Sequence, residues 1–256
     1  MDVIRNLAVK HGLTKAEVIA VVERVLAEML AVFYGHDVIV DLDPAAGIIA
    51  TAYRKAMDGT IEQIIVQPAI LQRFGRGRVP RALEHELARL RVIKDVQHVK
   101  RHKNRLCWGE IIGREPDGTL LVEAEIDENP IIAECPPDLI GGHERESLQP
   151  GQRRAFHLRR VESVMLNGTP RLRLVLDRIS RNLPAELLRE YVPANNIRCQ
   201  VRYVGGKSFI TSRSQLPKQA RTAVARELGE HILINQKPPG KWRKKRRTTL
   251  NVVKRS

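Results

Sequence analysis

Hydrophobic and polar positions recur along the chain with two periods, and the change of period divides it. Over residues 13–33, LTKAEVIAVVERVLAEMLAVF, Val18, Val22, Val25, Met29 and Val32 fall at helical spacing and predict an amphipathic helix buried along that stripe. Thr14 and Glu17 at its start have the spacing of a capping box. DVIVDLD (37–43) and GIIATAY (47–53) flank Pro44-Ala45-Ala46 and predict a hairpin, with IEQIIVQ (61–67) as a third strand. AILQRFGRGRVP (69–80) reads as an exposed loop, and helical spacing resumes over 81–102 with Leu83, Leu87, Leu90 and Ile93 as the stripe.

From about residue 104 the period drops to two. NRLCWGEIIG, TLLVEAEI, PIIAECP, RRAFHLRRVESV and RLRLVLDRI are five short strands, broken by Pro116-Asp117-Gly118, Glu128-Asn129, the longer DLIGGHERESLQPG and Asn167-Gly168. Five strands with a long link before the fourth fit a small Greek-key barrel of the OB type, with a sandwich fragment as the alternative. In the last strand Leu172, Leu174 and Leu176 take one face, closing the barrel, while Arg171 and Arg173 are left for solvent and nucleic acid. Leu183 to Tyr191 reads as a short helix ending at VPAN. IRCQVRYV and KSFITSR form a hairpin across Gly205-Gly206, residues 216–228 a helix closed by Gly229, and HILIN (231–235) a final strand. That is a β-β-α-β unit.

Charge changes the picture from folded domains to folded domains with a polyanionic partner. The 256 residues carry 44 Lys and Arg against 29 Asp and Glu, a net +15, and 43% hydrophobic residues are enough for real cores. Residues 237–256, KPPGKWRKKRRTTLNVVKRS, hold nine of the cations (237, 241, 243–247, 254, 255) and no acid, and read as a basic tail, disordered when free. The longest apolar run, Met29 to Tyr34, falls far short of the roughly 20 residues of a span, so no membrane partner is expected. MDVIRNLAVKHG lacks an export pattern, which points to a cytoplasmic protein. Cys107, Cys135 and Cys199 read as reduced, partly buried thiols.

No catalytic or cofactor motif emerges: the chain has no CxxC, GxSxG or GxxxxGK[ST]. His98 and His102 stand i, i+4 and Asp37, Asp41 and Asp43 share a strand, but neither set brings an evident further ligand, and both read as structural or solvated groups. The binding features are stronger. Arg153, Arg154, Arg159 and Arg160 on the fourth barrel strand and Arg171 and Arg173 on the fifth would neutralise phosphates, with Trp108 and Phe156 as stacking surfaces. The alternative is that Trp108 and Phe156 fill the barrel core and the arginines solvate it. Lys241, Trp242, Arg243, Lys244, Lys245, Arg246 and Arg247 add a cationic stretch with an indole that has no core to join.

The order of helix, hairpin, long helix, barrel and β-β-α-β unit resembles that of NusA, the family of bacterial transcription elongation factors. "LTKAEVIAVVERVLAEML" with "DVIVDLDPAAG", "LQPGQRRAFHLRRVES" and, most specifically, "RLRLVLDRISRNLPAELLREYVP" carry the resemblance. It implies an α+β multidomain chain. Residues 1–102 would be an α/β polymerase-binding-like domain and 103–180 an S1-type OB-fold barrel that binds RNA. Residues 181–236 would be a short helix plus a degenerate KH-like unit, with the basic tail at 237–256. The Gly-x-x-Gly clamp of a KH domain is missing, since RSQLPKQAR runs straight into one helix. The resemblance further implies a non-enzymatic factor, without cofactor or metal, that binds bacterial core RNA polymerase, nascent single-stranded RNA and other transcription factors. It would modulate pausing, termination or antitermination. The alternatives are an RNA-binding accessory of the ribosome or the RNA-decay machinery, and a metal-dependent nuclease using Asp37, Asp41 and Asp43.

Overall fold

A computed structural model describes residues 2–43, 47–57, 59–66, 77–127, 129–193 and 196–236. The chain is α+β, with five α-helices among the described residues, two three-stranded sheets and a closed barrel. It divides into two compact units, one of residues 1–103 with 160–174, the other of 104–159 with 175–256.

In the first unit, helices α1 (Asp2–His11), α2 (Lys15–Tyr34) and α3 (Arg78–Val99) accompany an antiparallel sheet β1 (Asp37–Asp43), β2 (Gly47–Lys55) and β3 (Ile61–Ile65). The capping box at Thr14 forms as expected. Its Glu17 also takes Lys94 of α3 at 2.9 Å; the Thr14 backbone N–H, then Lys94 and the Thr14 hydroxyl, hold this carboxyl down at about 2. The buried face of α2 is wider than the expected stripe: Val18 and Val25 are buried and Val22 and Met29 pack on both clusters, and Val21, Leu26 and Leu30 join them. Val18, Val21 and Val25 pack with Ala8, Leu13 and Leu87, whereas Leu26 and Leu30 pack with Val38, Val40, Ala50 and Ala52 of the sheet. At about 100° per residue, the covered face therefore turns round the helix between its two halves. Val32 falls beyond both and is 87% exposed, and Ile93 of α3 is also exposed. The loop expected at 69–80 is mostly outside the described residues, and its end opens α3.

The second unit holds the barrel, β4 (Leu106–Arg114), β5 (Leu120–Ile126), β6 (Asn129–Cys135), β7 (Arg153–Leu166) and β8 (Thr169–Asp177), with β7 and β8 continuing beyond it into the 160–174 segment. The strand order β4-β5-β6-β8-β7 is a Greek key: three consecutive strands, then β7 returning over a long connection to pair with β4. The period-two alternation breaks at the end of β8, where Leu174, Val175, Leu176 and Asp177 are all buried. After α4 (Leu183–Tyr191), β9 (Arg198–Arg202) and β10 (Lys207–Ser212) pair antiparallel, and α5 (Lys218–Leu228) leads to β11 (His231–Gln236), parallel to β10. The β9–β10 connection is four residues long, not a two-residue turn, and Gly205 within it has φ +74°.

Arg178, fully buried after β8, joins these pieces. Its Nε and Nη2 donate to Glu144 at 2.8 and 2.7 Å, Nη1 to Glu227 Oε1 at 3.0 Å and to the Ala155 carbonyl at 2.6 Å, and Nη2 also to the Glu227 carbonyl at 3.0 Å. Five acceptors thus meet the five donors of a guanidinium. Burial alone would lower its pKa, but Glu144 and Glu227 hold it above the usual value. A second buried pair, Arg202 with Glu230, donates from Arg202 Nη1 to the Ser180 carbonyl at 2.6 Å. His143, in the β6–β7 connection, donates from Nε2 to the Leu228 carbonyl at 2.9 Å. Three glycines surround its ring: a Cβ at Gly205 would lie 2.6 Å, at Gly141 2.7 Å and at Gly229 3.2 Å from it.

His157 and Asp177 are both buried, with Nδ1 3.4 Å from Oδ2, near enough for charge attraction although neither ring nitrogen makes a hydrogen bond. Burial alone would lower the His157 pKa, but Asp177 and then Glu186 raise it on balance. Burial pushes the Glu186 carboxyl up. Arg159 faces the same Asp177 oxygen at 3.4 Å.

Two outcomes are expected. Arg178→Met leaves Glu144 and Glu227 buried without this cation and should lower the second unit's unfolding free energy by about 3–5 kcal/mol, measured by urea titration of Trp108 fluorescence. His157 has a folded-state pKa above its unfolded one. It therefore stabilises the unit below about pH 6.5, and that contribution is lost as pH rises through the folded-state value. His157→Gln should flatten the decline in melting temperature above about pH 6.5, checked by thermal unfolding across pH 5–9.

Candidate nucleic-acid interface

Strand pairing brings Trp108 and Arg153 together on the outside of the barrel, as the phosphate-and-stacking expectation requires, but fills the space between them. The Arg153 guanidinium lies 5.1 Å from the centroid of the Trp108 ring and donates to both Glu125 oxygens, at 2.9 and 2.7 Å. Through this pair Glu125 is held below the ordinary carboxylate range and Arg153 above its own. Trp108 Nε1 donates to the Glu190 carboxylate at 3.0 Å, while the indole packs on the core beneath. Register places Glu110 opposite both Arg153 and Glu123, so exposed carboxylates surround the ring. A base stacked here would displace Arg153 and bring its phosphates among these acids. Both ion-paired groups are about half exposed, so Coulomb attraction fixes Arg153 only weakly, by about 0–1 kcal/mol.

Phe156 corrects the stacking expectation: it is completely buried, with Arg178 5.6 Å from its ring centroid, and offers no face to a ligand. Phe156 shares one side of β7 with Leu158, opposite buried Cys107, while Ala155 on the other side is buried among residues of α4 and α5, so the strand is covered on both faces here. Arg154 is held by Glu227 at 3.3 Å and by Gln152, and Arg159 by Asp177. These two arginines act as counter-charges within the fold. The partners Glu144, Glu227 and Asp177 had no local signal in the sequence, apart from Asp177-Arg178 directly following an apolar run buried on both faces.

Cations do remain exposed elsewhere. In the first unit the 160–174 segment exposes Arg160, Arg171 and Arg173, and the end of α3 runs into exposed Lys100, Arg101 and Lys103. Lys241, Trp242, Arg243, Lys244, Lys245, Arg246 and Arg247 lie outside the described residues. Asp37, Asp41 and Asp43 lie on β1, and among the described residues no three His, Cys, Asp or Glu side chains gather as a metal site. Burial pushes the Cys107 thiol up to about 12 and raises Cys135 as well, so neither is a nucleophile at neutral pH. No described helix is long and apolar enough to cross a membrane.

No family model matches the chain, and no curated protein does. Among solved structures it is similar to a multidomain protein with nucleic acid binding domains from Streptococcus pneumoniae TIGR4, at 13% identity and a TM-score of 0.22. The match covers 60% of this chain and 44% of that one, so the chain spans less than half of that protein. A superposition this loose leaves the role of the chain to its own residues.

Proposed function

We propose that the protein is a non-enzymatic, NusA-like transcription factor. In this reading residues 1–102 dock on bacterial core RNA polymerase, and the second unit with its basic extension holds nascent single-stranded RNA, altering pausing, termination or antitermination. The supporting observation is the strand order β4-β5-β6-β8-β7, the order of an OB-type barrel, in a chain of net charge +15. An S1-type barrel followed by a KH-like unit is what the resemblance implies for this family. Here β10 and β11 are joined by the single helix α5, so the two-helix Gly-x-x-Gly clamp has no counterpart, and RNA attraction falls to other surfaces.

Nuclease-treated full-length protein is expected to co-elute with bacterial core RNA polymerase in gel filtration at moderate salt. Failure to co-elute, with RNA binding intact, would favour a ribosomal or RNA-decay accessory. Deleting residues 237–256 should flatten the salt dependence of single-stranded RNA binding, by about 0.7 in slope for each phosphate that the tail neutralises. Fluorescence anisotropy across a salt series measures this, and an unchanged slope would remove the tail from the RNA site.

A further inference from the structure

The sheet β9–β10–β11 buries one face and leaves the other open. Cys199, Ser208, Ile210 and Ser212 are buried, with Cys199 and Ile210 packed among residues of α4 and α5, and on the other face Thr211 is covered at one end, where it bonds Gln200 and the Arg198 carbonyl. On the open face Phe209 stands at the centre, directly across from Val201 on β9 and Leu233 on β11. These three are 41–43% exposed. Tyr203, just past β9 and 63% exposed, meets Phe209 edge to face, with centroids 6.3 Å apart and planes at 80°. In a chain that is only 4% aromatic, two neighbouring exposed rings at the centre of an open sheet are a costly placement unless something covers them.

The surrounding charge says what would. Lys207 pairs with His231 across β10 and β11, and Thr211 with Arg198 across β10 and β9. RCQVR, KSFITS and HILINQ contain no Asp or Glu, and Glu230, next to β11 in the chain, is buried against Arg202. The contrast with the carboxylate-ringed Trp108 is direct: this face has aromatics without acids. The chain also passes immediately from β11 into the nine cations of 237–256. Flat exposed rings, basic neighbours and no competing carboxylate are what a sequence-tolerant single-strand site requires.

We infer that the open face of β9–β10–β11 binds single-stranded RNA, with Phe209 and Tyr203 stacking bases and Lys207 attracting the backbone phosphates. The inference rests on the RNA-binding reading above and locates it on residues that reading does not name. Full-length wild type, Phe209→Ala, Phe209→Leu, Tyr203→Ala and Lys207→Glu are titrated against a fluorescein-labelled, mixed-sequence single-stranded RNA of about 15 nucleotides. Circular dichroism checks folding and sedimentation velocity follows self-association. Loss of a stacked base should weaken binding by about tenfold or more for Phe209→Ala and Tyr203→Ala, without changing the salt slope. Lys207→Glu should weaken binding and lower the slope. Phe209→Leu keeps the apolar cover and loses the flat ring, so it carries the test if the alanine variant unfolds. Wild-type binding with every folded variant within twofold would overturn this site while leaving RNA binding in place. No wild-type binding at low salt would remove both readings. Variants that bind RNA normally but lose self-association would assign the face to a second copy of the chain, against the inference.

Discussion

The second unit is organised round one guanidinium that water cannot reach. Arg178 brings five donors into the interior, and each must find an acceptor or carry a desolvation penalty of about 1–3 kcal/mol. The acceptors come from three places: the β6–β7 connection through Glu144, β7 through the Ala155 carbonyl, and the end of α5 through Glu227. Satisfying the arginine therefore fixes the positions of the barrel and the β-β-α-β unit together. Apolar residues in place of Arg178, Glu144 and Glu227 together would be about as stable, but they would not demand these partners in one arrangement. The Arg202–Glu230 pair repeats the device at smaller scale, tying β9 to the barrel exit through Ser180.

That constraint changes how the positive charge is to be understood. Arg154, Arg178 and Arg202 face carboxylates within the fold, so they contribute to architecture and little to an outside field, and Arg159, though half exposed, is partnered by buried Asp177. Arg153 is neutralised by Glu125 on the surface. The field available to a polyanion comes from cations away from these pairs, which is why net charge identifies a class of partner without identifying the side that meets it.

Local order was readable and long-range pairing was not. The capping box at Thr14 and Glu17, the five barrel strands, the short helix at 183–191 and the Gly229 cap depend on neighbours within a few residues. The expected stripe of α2 is right at Val18, Val22, Val25 and Met29 and misses Val21, Leu26 and Leu30, because the two halves of the helix face different neighbours and a single periodicity cannot carry two. Alternation separates Phe156 and Leu158 from Ala155 and His157 on β7, but it does not say which of the two faces turns inward or whether a helix covers the other. Arg154 meets Glu227 across 73 positions and Trp108 meets Glu190 across 82, distances at which no spacing rule operates. Arg171 and Arg173 are exposed, as alternation implied.

His143 shows how such long-range contacts act together. Its ring occupies a slot formed by Gly141, by Gly205 at the β9–β10 connection and by Gly229 at the end of α5, with the Leu228 carbonyl accepting its hydrogen bond. The slot has the thickness of an imidazole and no more, so the ring works as a rivet through three layers of chain. A hairpin end, a helix end and a barrel loop, far apart in sequence, then share part of one opening free energy: none can swing away until the rivet is drawn.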